Sequence, residues 1–176
     1  MLKEQEIKLL ISEEQVQSGI KKLASELNDV YKDEEVYLIG VLKGSVMFMT
    51  DLAKRLTMPV KMGFVKLSSY GGGTESSGKI EALEISLPDL NDKNVIIVED
   101  IIDTGLTAKF FIDYLNNKYK TKELKFCALL NKEVRRVVDV KADYYCFDID
   151  DKFIVGYGLD YNECYRNLPY IGYIEV

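Results

Sequence analysis

No histidine occurs anywhere in the sequence. A general base must therefore be a carboxylate, Lys, Tyr or Cys, and a bound metal must be hard and oxygen-ligated, which suits Mg²⁺ rather than Zn²⁺. Cysteine is scarce as well. Cys127, Cys146 and Cys164 are odd in number, far apart and without C-x-x-C spacing, so they read as buried, reduced thiols rather than a disulfide framework or a zinc site. No apolar run approaches the length of a membrane span, and Met1-Leu2-Lys3-Glu4-Gln5 carries no apolar signal-peptide core. The expectation is a cytoplasmic protein with no membrane partner. A basic surplus is missing too: the net charge of −6 lacks the phosphate-neutralising surface that general nucleic-acid binding requires. Repeats and linkers are absent, and 176 residues that are 47% hydrophobic and 30% charged suit one globular domain with its own core.

What is present is organised around residues 95–107. Val95-Ile96-Ile97-Val98 is a β-prone run of the kind buried on both faces of a parallel sheet, and it stops at two adjacent carboxylates, Glu99 and Asp100. Small and hydroxylated residues follow, Thr104-Gly105 and Thr107. A helical pattern then runs from Ala108 to Lys118 with Phe111, Ile112 and Leu115 on one face. A strand, a short polar turn and a helix N-terminus make a seat for a phosphate. Carboxylates beside a phosphate repel it unless they hold Mg²⁺ or sugar hydroxyls. Together these residues point to a phosphorylated sugar that travels with a metal.

The flanking segments alternate β and α. Ile7, Leu9 and Ile11 alternate in a short extended arm. Ser12 caps a helix whose apolar stripe is Val16, Ile20, Leu23, Ala24 and Leu27. Glu35 to Leu42 reads as a buried strand running into Lys43-Gly44-Ser45, a second turn suited to an anion. Val46 to Leu56 then reads as a helix with Met47, Leu52 and Leu56 on its apolar face. Pro59 to Leu67 and Ile80 to Leu87 are strands around a Gly- and Ser-rich loop, residues 68–79, in which Ser69 and Tyr70 supply hydrogen-bonding groups. Leu124 to Leu130 is a core strand ending at Asn131-Lys132, and ligands of open α/β sheets bind off that edge. Arg135 and Arg136 read as solvated or partner-interface side chains. After a further strand, Asp143 to Ile149, come Phe153, able to stack on a planar base, Ile154, Asp160 and Arg166. The predicted architecture is α/β, a parallel core sheet of about five strands flanked by helices. Residues 1–11 and 150–176 would form a small hood.

Val98-Glu99-Asp100-Ile101-Ile102-Asp103-Thr104-Gly105-Leu106-Thr107 resembles the phosphoribosyl pyrophosphate signature of the type I phosphoribosyltransferases. Glu-Asp followed three residues later by Asp is similar to their hypoxanthine-guanine members. Leu42-Lys43-Gly44 is similar to the family's pyrophosphate loop, in which the peptide before Lys can be cis. Ser69-Tyr70 before a Gly-rich run resembles its flexible lid, and Asp151 through Tyr170 resembles its C-terminal block almost continuously. Cys164 departs from the Lys or aromatic residue common there.

The resemblance implies transfer of a 5-phosphoribosyl group from phosphoribosyl pyrophosphate to N9 of hypoxanthine or guanine, giving IMP or GMP. It implies that Glu99, Asp100, Ile102, Asp103, Thr104, Gly105, Leu106 and Thr107 hold the ribose and 5-phosphate, with Asp103 as the base that takes the purine proton. Lys43, Gly44 and Arg166 would hold pyrophosphate, and Lys132, Phe153, Ile154 and Asp160 the purine. Glu99, Asp100 and Asp160 would serve Mg²⁺, in a homodimer or homotetramer. The competing readings are a phosphoribosyltransferase for xanthine or pyrimidines, and a regulator that keeps the fold to sense nucleotides and binds RNA or a protein. Intact Asp103, Lys43 and lid favour catalysis.

Overall fold

The computed structural model describes residues 6–69, 80–85 and 87–175. The apolar runs become strands β1 (Lys8–Ile11), β2 (Val36–Leu42), β3 (Val60–Ser69), β4 (Ile80–Ile85), β5 (Asn94–Ile102), β6 (Glu123–Asn131), β7 (Tyr144–Asp148), β8 (Phe153–Val155) and β9 (Ile171–Ile174). Among the described residues three α-helices connect them, α1 (Glu13–Tyr31), α2 (Val46–Ala53) and α3 (Leu106–Lys118), with a short 3-10 turn at Glu133–Arg135. The main sheet has the order β4-β3-β2-β5-β6-β7. Its last five members are parallel, and β4 pairs antiparallel on the edge. A second, antiparallel sheet of order β1-β9-β8 joins the two ends of the chain.

Period-two alternation along the central strands divides the core in two. On one side Leu38, Ile96, Val98 and Leu129 pack against Val16, Ile20, Leu27, Phe48, Met49 and Leu52 of α1 and α2. On the other, Ile39, Ile97 and Ala128 meet Ala108, Phe111 and Leu115 of α3. Strands buried on both faces need apolar residues at every position, which is why β2, β5 and β6 read as continuous runs. α1 begins as its sequence predicts. Ser12 and Gln15 form a reciprocal capping box, and all five stripe residues are buried. Such a cap contributes about 1 kcal/mol.

Three local expectations need correction. β5 does not stop at the carboxylates: its ladder with β6 continues through Glu99↔Ala128 and Ile101↔Leu130 to Ile102↔Asn131, so the acids sit within the strand's C-terminal half. In α2 the buried face is Phe48, Met49 and Leu52, the helix ends at Ala53, and Met47 points outward. The helix is too short for its periodicity to decide the face, and the sheet beneath it does. In β1 the alternation of Ile7, Leu9 and Ile11 breaks at an irregularity between Leu9 and Ile11, leaving Leu9 62% exposed while Ile11 is buried. Tyr70 and the rest of the expected lid through residue 79 lie outside the described residues, and Ser69 closes β3.

Candidate active site

Parallel strands end at one edge, so the segments following β2, β5 and β6 converge there, and residues of β8 from the second sheet, with Leu159 after it, border the same edge. After β5 the chain turns through Asp103-Thr104-Gly105 into α3, which starts at Leu106, earlier than its apolar pattern suggests. Gly105 is the N-cap residue with φ +82°, in the left-handed region where a side chain is strained. The Leu106 N–H reaches Thr104 Oγ1 at 3.4 Å. Glu99, Asp100, Ile102, Asp103, Thr104, Gly105 and Thr107 line a cavity of about 330 Å³, closed on its other side by Leu42 and Gly44. The Leu42–Lys43 peptide is cis. A Cβ at Gly44 would collide with Asp100 Oδ2, so any side chain there displaces that carboxylate from its present place.

The electrostatics of this cavity are unusual for an anion site. Glu99 is 6% exposed, and burial together with the neighbouring Asp100 charge pushes its carboxyl up to about 8. Burial raises Asp100 to about 6, against a hydrogen bond from the Ile101 N–H at 3.0 Å and the nearby Arg166 charge. Two adjacent carboxyls held this far above their ordinary range favour a cation or hydroxyl donors. Among the described residues no three His, Cys, Asp or Glu side chains cluster to hold a metal. A pair of carboxylates does fit Mg²⁺, which fills its shell with waters and substrate oxygens rather than an all-protein cage.

A second cavity of about 310 Å³ adjoins the first and shares Ile101 and Asp103 with it. Lys132, Arg135, Asp151, Phe153 and Ile154 complete its walls. Lys132 is 4% exposed, donates to the Lys152 carbonyl at 2.7 Å and lies 3.7 Å from Asp151. Phe153 stays 41% exposed, with Tyr161 edge-on at 5.5 Å, leaving an aromatic surface at the cavity wall. Among the described residues Asp103 Oδ1 is buried without a hydrogen-bond partner, and Oδ2 is 3.6 Å from Arg135. A carboxylate oxygen lacking a donor is one free to accept a proton.

The remaining predicted residues gather beside the first cavity. Arg166 pairs with Asp160 at 2.7 Å and donates to the Gly158 carbonyl at 2.7 Å. Asp160 therefore stands with Arg166 and close to Asp100, outside the walls of the second cavity. The Lys43 ammonium turns to Glu163 at 2.7 Å, and Glu163 also lies 3.5 Å from Arg166. Glu163 was not singled out from the sequence, nor was the role of the two arginines. Arg135 borders the second cavity. Arg136, expected to be solvated or at a partner interface, is instead half-buried and donates four hydrogen bonds to the backbone and to Asn131. Three of the acceptors, on Ile102, Asp103 and Asn131, lie at or just past the ends of β5 and β6, which the sheet brings alongside and no local pattern reveals.

A family model described as the phosphoribosyl transferase domain matches residues 11–162. The chain belongs to the phosphoribosyltransferase family. It is 43% identical over 175 residues to a hypoxanthine-guanine phosphoribosyltransferase of Bacillus subtilis, covering 99% of this chain and 97% of the relative. A phosphoribosyltransferase of the same name from Streptococcus pneumoniae is 44% identical over 168 residues, 96% and 93% of the two chains. Among solved structures, a Bacillus anthracis hypoxanthine-guanine phosphoribosyltransferase with HEPES in its active site superposes with a TM-score of 0.91. It is 48% identical and covers 97% of this chain and all of the other. A Trypanosoma cruzi hypoxanthine phosphoribosyltransferase gives 0.90 at 37% identity, covering 99% and 94%. Five parallel strands between helices are thus the type I phosphoribosyltransferase fold that the motif implied.

Proposed function

We propose that this chain is a purine salvage enzyme, transferring the 5-phosphoribosyl group of phosphoribosyl pyrophosphate to N9 of hypoxanthine or guanine to give IMP or GMP and pyrophosphate. One observation carries the reading: two adjoining cavities, one edged by a phosphate loop and the other by a buried Lys and an aromatic ring, share a single carboxylate with a free oxygen. The glycosidic bond is made where they meet.

In this reading the N–H groups and hydroxyls of residues 103–107 grip the 5-phosphate, and Glu99 and Asp100 hold the ribose hydroxyls. Mg²⁺, when bound, offsets the charge of the departing pyrophosphate; Glu99, Asp100 and Asp160 are the residues to hold it, directly or through water. Lys43, the Gly44 N–H and Arg166 take the remaining pyrophosphate oxygens. Phe153 stacks on the base, and backbone groups near Ile154 read one edge. Lys132, already held by the Lys152 carbonyl, donates a further N–H to the purine O6 on the other, so the 6-amino group of adenine would bring a donor against a donor and leave that N–H without an acceptor. Asp103 receives the proton that the purine loses from N7 as N9 attacks.

The same reading makes the small sheet β1-β9-β8 a hood beside the site; the lid expected around Ser69 and Tyr70 falls on residues that, from Tyr70 to residue 79, lie outside the described ones. The reading also places the enzyme in the cytoplasm; no helix among the described residues is long and apolar enough to cross a membrane. Exposed Met62 and Phe64 share a face of β3 and offer an apolar surface to a homodimer or homotetramer. Incubating the chain with phosphoribosyl pyrophosphate, Mg²⁺ and hypoxanthine, guanine, xanthine or adenine in turn, with ultraviolet detection of nucleotide, tests the proposal. Product from hypoxanthine or guanine but not adenine is expected. Absence of base-dependent pyrophosphate release would leave a sensor rather than an enzyme.

A further inference from the structure

Three successive carbonyls of the phosphate loop turn away from the cavity, and one short segment behind it holds all three. The Ile102 carbonyl accepts from the Lys132 N–H at 3.0 Å and from Arg136 Nη2 at 3.1 Å. Arg136 Nε donates to the Asp103 carbonyl at 2.9 Å, and the Val137 N–H to the Thr104 carbonyl at 3.0 Å. The guanidinium is itself aimed by Asn131 Oδ1 at 2.9 Å and the Val140 carbonyl. Its stem lies directly under the turn: a Cβ on Gly105 would come within 2.7 Å of Arg136 Cδ.

Across a trans peptide, a carbonyl and the next N–H point in opposite directions. Drawing the carbonyls of residues 102, 103 and 104 to the rear therefore turns the N–H groups of Asp103, Thr104 and Gly105 toward the cavity. We propose that Arg136 is a positioning residue that makes this loop an anion seat: its fork holds the rear carbonyls so that the front N–H groups are aimed before phosphate arrives. The proposal rests on the phosphoribosyl reading of the first cavity. Arg136 touches no substrate and acts through the loop. The carbonyl it holds belongs to Asp103, so the same contact also sets the direction of that carboxylate. Lysine cannot replace it, because Nε, Nη1 and Nη2 serve different acceptors and a single ammonium reaches them one at a time.

Arg136→Lys and Arg136→Met in the full chain, with calorimetric titration of IMP and of Mg²⁺-pyrophosphate, separate positioning from general support of the fold. Thermal melts confirm that the variants are folded; if Arg136→Met is not, Arg136→Lys, which retains the charge and most of the stem, carries the comparison. Loop displacement is expected to weaken IMP about 10- to 100-fold in both variants, since misplacement by about 1 Å has effects of that order. Pyrophosphate binding, seated on Lys43 and Gly44, should stay within about twofold. Equal losses for both ligands, undiminished IMP binding, or full rescue by lysine overturns the proposal. If the wild-type chain binds neither ligand, the fault lies in the phosphoribosyl reading itself, and Arg136's role falls with it.

Discussion

Replacing Asp103 with Asn should separate chemistry from binding. The carboxylate has one buried oxygen without a partner among the described residues and another 3.6 Å from Arg135, so an amide of the same shape fits with its oxygen toward the arginine. What holds the phosphate loop is the Asp103 main-chain carbonyl, bonded to Arg136 at 2.9 Å, and that contact survives the substitution. The ligand site should therefore persist, with the KM for phosphoribosyl pyrophosphate changing by less than about threefold. Loss of a positioned general base costs about 10²- to 10⁴-fold in turnover, equivalent to about 2.7 to 5.5 kcal/mol of barrier. Ultraviolet-monitored turnover at saturating substrates, with IMP binding measured alongside, reads both quantities. Asp103→Asn turnover within about threefold of wild type would remove Asp103 from the role of base. Loss of IMP binding would show that the carboxylate, rather than the Asp103 main-chain carbonyl, holds the loop.

Three further outcomes follow from particular contacts. Lys132→Met removes a buried donor and strands the Lys152 carbonyl, so the KM for hypoxanthine should rise about 10- to 100-fold with a loss of melting temperature, and preference over adenine should shrink; retained preference would move base selection elsewhere. Glu163→Gln frees Lys43 and Arg166 from an exposed competitor carboxylate, so the KM for phosphoribosyl pyrophosphate should fall, by at most about fivefold, and less in high salt; a rise would mean that Glu163 assists binding. At Asp51 burial acts upward, but hydrogen bonds from Lys54, Tyr157 and Gln17 outweigh it and bring the carboxyl to about 2. A folded-state value below the ordinary 3.8 contributes stability above that pH, lost as pH falls toward 2. The stability advantage of wild type over Asp51→Asn in urea unfolding should thus narrow from about pH 5 to about pH 3; a constant gap would contradict the linkage.

The phosphate loop was legible because its parts are contiguous. A strand, two acids, a hydroxylated turn and a helix start occur within residues 95–107, and such local signals survive without tertiary information. The stripe of α1 was legible for the same reason, its nineteen residues repeating the pattern often enough to define a face. In α2, with eight residues, they did not, and Met47 was placed inward when the sheet selected Phe48 and Met49 instead. Glu163 carried no signal because its partner Lys43 lies 120 residues away.

By itself the sequence determined the alternation of strands and helices and the kinds of ligand the central turn can hold, because both follow from neighbouring residues. Only the tertiary structure decided that Asp103 stands between two cavities and that Arg136 lies beneath the loop rather than in solvent. Pairing Ile102 with Asn131 across parallel β5 and β6 sets the segment after one strand behind the turn after the other. Hydrogen-bond partners at that separation are chosen by strand register, a property of the assembled sheet and of no single stretch of chain.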